Sequence, residues 1–62
     1  MFYKNDLIQI KALSHLKKEL HGQYATIEDY HLGHGVYTVI TMQNPKVYAL
    51  KEDEMILVQG SE

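Results

Sequence analysis

The residues of this chain that could do chemistry are four histidines, a run of three acids and six lysines lying among five tyrosines. His31 and His34 sit in one glycine-containing turn, and His15 and His21 in a separate polar segment. A closed metal site needs about four ligands held by supporting hydrogen bonds. Glu28 and Asp29 could join the histidines, but there is no Cys to supply thiolate. A His-x-x-His pair alone is ordinary loop polarity, so the chain is expected to hold no metal and no cofactor. Ser14 and His15 are neighbours in sequence with nothing to orient one on the other, and Glu52-Asp53-Glu54 reads as a solvated turn. No catalytic set converges, and so few residues cannot wall a dry pocket. The expectation is a non-enzymatic protein with no small-molecule ligand.

Two binding chemistries remain. Lys11, Lys17 and Lys18, with Tyr30 as a stacking platform, could follow a single-stranded nucleic acid. Against this, the chain has no Arg, eight acids to six lysines and a net charge of -2, with a pI near 6.0. Arg is the preferred partner for bidentate phosphate and guanine contacts. The other chemistry is apolar. Tyr24, Val36, Ile40 and Val47 fall on the side of their strands opposite the core residues, and neighbouring outward apolar groups form a protein-binding or homodimer surface.

Those side chains must be positioned by strands. Leu7 to Ala12 alternates, with Ile8, Ile10 and Ala12 on one face, and the pattern predicts a strand over 6–12. Gln23–Tyr30 alternates with Ala25 and Ile27 inward and Tyr24, Thr26, Glu28 and Tyr30 outward. Val36–Met42 is the strongest strand, and 46–50 and 55–58 complete a set of five. Gly33 and Gly35 are expected to supply positive φ in the hairpin between the second and third strands. Gly22 opens the second strand, and Gln43-Asn44-Pro45 makes the next turn. Leu13, Leu16 and Leu20 recur at helical spacing. They suit a long loop or short helical turn covering one end of the core, or else an amphipathic helix lying on the sheet. Residues 59–62 are expected to fray. Sixty-two residues allow one domain with a small, marginal core. No apolar run approaches the length of a membrane span, and a cytoplasmic location is expected.

The fold class expected is all-β, a five-stranded antiparallel barrel over 1–62. Asp6-Leu-Ile-Gln-Ile10, Gly22-Gln-Tyr-Ala-Thr-Ile27, Gly35-Val-Tyr-Thr-Val39 and Leu50-Lys-Glu-Asp-Glu-Met55 together resemble SH3-like barrels of KOW type. They also resemble the small phage- or prophage-encoded SH3-like proteins. Gly22, Ala25 and Ile27 carry the spacing of the KOW motif, with Ala25 where that motif often has a second glycine. The resemblance implies a binding module with no catalytic residues. It also implies a phage or mobile-element origin, hence a host-cell cytoplasm, with RNA or single-stranded DNA as the alternative partner.

Overall fold

The computed structural model describes residues 2–11, 15–31, 33 and 35–60, and of residues 15–17 only the backbone. Expectations for Ala12, Leu13, Ser14, His34, Ser61 and Glu62, and for the side chains of His15, Leu16 and Lys17, lie outside the described residues, while Gln59, expected to fray, pairs with Leu7. The elements in chain order are β1 (Leu7–Ile10), a 3-10 helix (His15–Leu20), β2 (Tyr24–His31), β3 (Val36–Thr41), β4 (Val47–Lys51), a second 3-10 helix (Glu52–Glu54) and β5 (Met55–Gln59). All pairings are antiparallel and the sheet order is β4-β3-β2-β1-β5. The protein is therefore all-β, as its alternation predicts.

β1 is shorter than expected because Asp6 belongs to the turn before it. The Asp6 N–H donates to the Tyr3 carbonyl at 3.0 Å, and Asp6 Oδ2 accepts the Tyr3 N–H at 2.8 Å. Asn5 takes φ +73, a conformation that short polar side chains tolerate. The turn also feeds the sheet, since the Asn5 N–H reaches the Ile27 carbonyl at 2.7 Å.

The inward residues of every strand meet in one core of Ile8, Ile10, Ala25, Ile27, Tyr37, Val39, Leu50 and Met55, with Leu20 added from the first 3-10 helix. Leucine at the end of that short helix thus caps the core without a full amphipathic helix. At Glu28 the β2–β3 ladder shifts register, because Ile27 faces Val39 while Asp29 faces Thr38. The extra residue makes a β-bulge, and side chains beyond it change face. Tyr30 consequently stands opposite the buried Tyr37, on the core side and not outward as simple alternation has it.

β4 and β5 do not pair with each other, so the sheet stays open with two edges. The second 3-10 helix carries the chain from one edge to the other. Glu54 ties that crossing at both ends, its Oε1 accepting the Lys51 N–H at 2.9 Å and its carbonyl accepting the Lys11 N–H at 2.7 Å. Glu54 is buried, which corrects the reading of all three acids as a solvated turn.

Gly22 and Gly35 take φ +85 and +65, whereas Gly33 is not in the positive-φ region. Only one of the two hairpin glycines therefore has the expected backbone role. A Cβ on Gly22, Gly33 or Gly35 would meet nothing within 4 Å, so the cost of alanine is set by φ alone. Gly22→Ala and Gly35→Ala should each lose about 1 kcal/mol or more. Gly33→Ala should leave stability unchanged in urea titration, and equal loss at all three positions would contradict the assignment.

Candidate protein-interaction face

The ladders fix which outward side chains become neighbours. Gln9 lies opposite both Ile56 and Tyr24, and the Met42 N–H donates to the Tyr24 carbonyl at 3.0 Å. One row across the outer face thus reads Ile56, Gln9, Tyr24, Met42. The next reads Gln59, Leu7, Thr26, Ile40, Val47. Residues facing each other across a ladder bring their Cβ atoms to about 4.5–5.5 Å, so the rows form one surface. No side chain in either row is charged. Tyr24 is 48% exposed, Met42 58% and Val47 64%, while Ile40 and Leu7 are half-buried.

Of the four residues singled out from the sequence, Tyr24, Ile40 and Val47 come together on this surface. Ile40 pairs directly with Val47, and Tyr24 is diagonal to Ile40 through Thr26 and Met42. Val36 shares the face but lies two alternations away beyond Thr38, beside His31 and Lys51. Four steps along the strand separate it from Ile40, roughly 13 Å. Between them His31 Nε2 and Thr38 Oγ1 make a 2.7 Å hydrogen bond. Met42, Leu7 and Ile56 were not singled out. Alternation alone carries outward from Ile40 to Met42 and from Gln9 to Leu7, but Ile56 joins only through its register with Gln9.

At one end of the face, Leu7, Tyr24 and Met42 continue into an open groove of about 770 Å³. Its remaining walls are His21, Gly22, Gln23 and Gln43. Gly22 is held there by two hydrogen bonds, its N–H donating to the Ile10 carbonyl at 2.8 Å and its carbonyl accepting the side-chain Gln9 Nε2 at 3.1 Å. The groove is lined by three large apolar side chains together with the amides of Gln23 and Gln43 and the imidazole of His21, which suits an apolar side chain.

The cationic residues are arranged differently. Lys11 and Lys18 are exposed, and Lys11 adjoins the Ile10–Gly22 contact at the start of β2. The side chain of Lys17 lies outside the described residues. Tyr30 is at the far end of the eight-residue β2, roughly 25 Å of strand away. Its ring packs on Tyr37, with centroids 4.5 Å apart and planes at 33°. The structure does not bring Lys11, Lys18 and Tyr30 together.

Tyr37 joins the core to the amino-terminal arm and to the second 3-10 helix. Its hydroxyl donates to Glu52 Oε2 at 3.1 Å and accepts the Phe2 N–H at 3.3 Å. The Phe2 ring meets it edge-on at 5.6 Å and 89°. Burial pushes the phenol pKa up; the bond from Phe2 works against this, and the Glu52 carboxylate adds to it through its hydrogen bond and its charge. A phenol held protonated in this way is a structural donor.

Among the described residues, no three His, Asp or Glu side chains gather closely enough to hold a metal ion. No helix among them is long and apolar enough to cross a membrane. Compared with protein-family models, curated proteins and solved structures, the chain matches none.

Proposed function

We propose that this chain is a small non-enzymatic binding module that contacts another protein through the outer face of its sheet. The observation that carries this is the pair of uncharged rows from Ile56 to Met42 and from Gln59 to Val47, spanning the sheet. A chain with 23% charged residues leaves such a face bare at a solubility cost, and surfaces of this kind serve association. Tyr24 supplies large contact area with few rotatable bonds, as interface anchors do. In keeping with the SH3-like resemblance, we take it as an accessory protein of phage or mobile-element type, working in the host cytoplasm.

The test pairs Tyr24→Ala with Ile40→Ser. Tyr24 is half-exposed and Ile40 half-buried, so the double variant should fold, losing about 1–2 kcal/mol, and melt cooperatively. A protein captured at fixed stoichiometry by the wild-type chain should no longer be recovered with the variant, while Lys18→Ala should retain it. Undiminished capture by the folded double variant would overturn the proposal. Salt-dependent retention on single-stranded DNA abolished by Lys11→Ala and Lys18→Ala would favour the nucleic-acid alternative.

A further inference from the structure

The two edges of the sheet are dressed differently. β4 is flanked by Lys46 and ends on Lys51, and the Lys51 N–H is already bonded to Glu54 Oε1 at 2.9 Å. Charges on an edge discourage further pairing. β5 has no such protection: Met55 to Gly60 contains no charge and no proline. Ile56, Leu57 and Val58 are 51%, 49% and 48% exposed, three consecutive aliphatic side chains on one edge strand.

The phase of the ladder shows what that edge offers. The Lys11 N–H donates to the Glu54 carbonyl and Gln9 stands opposite Ile56. Alternate residues of an antiparallel strand point their backbone groups to one side, so Glu54 and Ile56 serve β1 and Leu57 turns its N–H and C=O outward. The Leu57 side chain lies opposite the fully buried Ile8. It faces the core yet stays half-exposed, because no strand lies beyond it. The register shift next to Leu7 and Ile8 leaves Val58 without a partner in β1. It limits the straight part of the edge to about four residues.

We infer that β5 accepts an extended segment of a partner protein as an added antiparallel strand. That segment is apolar and uncharged over about five residues, with Lys or Arg immediately C-terminal to it. The inference rests on the reading of the chain as a protein-binding module and specifies the partner's chemistry. An antiparallel guest passing Met55 runs toward Glu52 and Asp53, both exposed, which favours cations at its C-terminal end. A second copy does not meet that requirement: its β5 is followed by Gly60, Ser61 and Glu62, and its β4, which ends on Lys51, has only four uncharged residues and carries Lys46 at their N-terminal side. The guest's side chains would cover Leu57 on the core side. On the outer side they would extend the row that begins at Ile56.

The probe is a synthetic peptide of about six alternating threonine and valine residues followed by two lysines, added to the isotope-labelled chain. Amide hydrogen exchange at Leu57 should slow about tenfold or more on binding, with chemical shifts moving along β5. Moving the lysines to the peptide's N-terminus should weaken binding about two- to fivefold, the range of an exposed ion pair. Val58→Lys, at a position outside the β1 register, should abolish binding. N-methylation of the peptide's strand-facing amides should do the same without touching the protein. Peptide binding that shifts Tyr24 and Ile40 but leaves Leu57 unprotected would overturn the edge assignment while leaving the outer-face reading intact. Absence of binding would also overturn it, and so would protection of Leu57 by self-association of the chain alone. Loss of partner capture in the Tyr24→Ala/Ile40→Ser variant, with peptide binding retained, would separate the two surfaces.

Discussion

Tyr37→Ala should leave the chain unfolded at room temperature, and Tyr37→Phe should fold with a clear loss of stability. Deleting a buried aromatic side chain costs roughly 3–5 kcal/mol, and a core of this size supplies only about 3–5 kcal/mol in total. Tyr37 is 2% exposed, and its ring contacts both Phe2 and Tyr30, so the hole it leaves opens the end of the core that the amino-terminal arm covers. Phenylalanine keeps the ring but removes the hydroxyl between the Phe2 N–H and Glu52 Oε2. One neutral and one charge-assisted bond are lost, about 1–2 kcal/mol after water replaces part of them. Urea unfolding followed by circular dichroism measures both variants. A Tyr37→Ala chain with a cooperative transition near the wild-type midpoint would show that the Phe2–Tyr30–Tyr37 cluster contributes little.

The same hydroxyl gives a pH signature. Its folded pKa is raised above the ordinary phenol value of 10.0, first by burial and further by Glu52. The folded state therefore binds that proton more tightly than the unfolded chain. Stability from this group is fully present below pH 10 and falls as pH climbs from there through the folded pKa. The chain holds four other tyrosines and six lysines, so the difference between wild type and Tyr37→Phe isolates the effect. The gap between their stabilities should narrow as pH rises past 10. A gap that widens would reverse the assigned direction.

What the sequence discloses about this fold depends on whether the signal is local. β3 is legible because Val36 to Thr41 alternates without interruption and is rich in β-branched residues. The start of β2 is legible for the same reason, and the inward set Ala25, Ile27, Tyr37 and Val39 follows directly. The bulge at Glu28 is not legible, since neither Glu28 nor Asp29 is a glycine or proline that would announce it. Its consequence, Tyr30 on the core side, is hidden with it. The outer face is half legible: alternation sorts side chains within a strand, but only register makes Ile56 a neighbour of Gln9 or sends Val36 away from Ile40. Gly33 and Gly35 look equivalent in the chain. They part because the Gly35 N–H closes onto the His31 carbonyl at 3.0 Å, and that closure is made with Gly35 at φ +65. Glu52, Asp53 and Glu54 also look alike, and what distinguishes the last is the direction in which the 3-10 turn points it.

That direction makes Glu54→Ala the second large effect. Glu54 is buried at 6% exposure, and its carboxylate accepts the Lys51 N–H at 2.9 Å while its carbonyl receives the Lys11 N–H at 2.7 Å. One residue therefore fastens the end of β4 to the turn and the turn to β1. Alanine keeps the carbonyl bond and removes the side-chain one, a hydrogen bond to a charged group that contributes about 1.5–3 kcal/mol. Lys51 is exposed, so water can recover part of the loss at its N–H, and the expected net cost is about 1.5–2 kcal/mol. Against a total of about 3–5 kcal/mol this removes a large fraction of the stability. Glu54→Gln keeps an acceptor oxygen of the same reach and should lose less than half as much. Asp53→Ala, next in sequence but exposed, should be nearly silent. The three variants unfolded side by side in urea give the ordering Ala at 54, then Gln at 54, then Ala at 53. If Asp53→Ala matched Glu54→Ala, the acidic run would act through its summed charge, and the buried hydrogen bond would not be what joins β4 to β1.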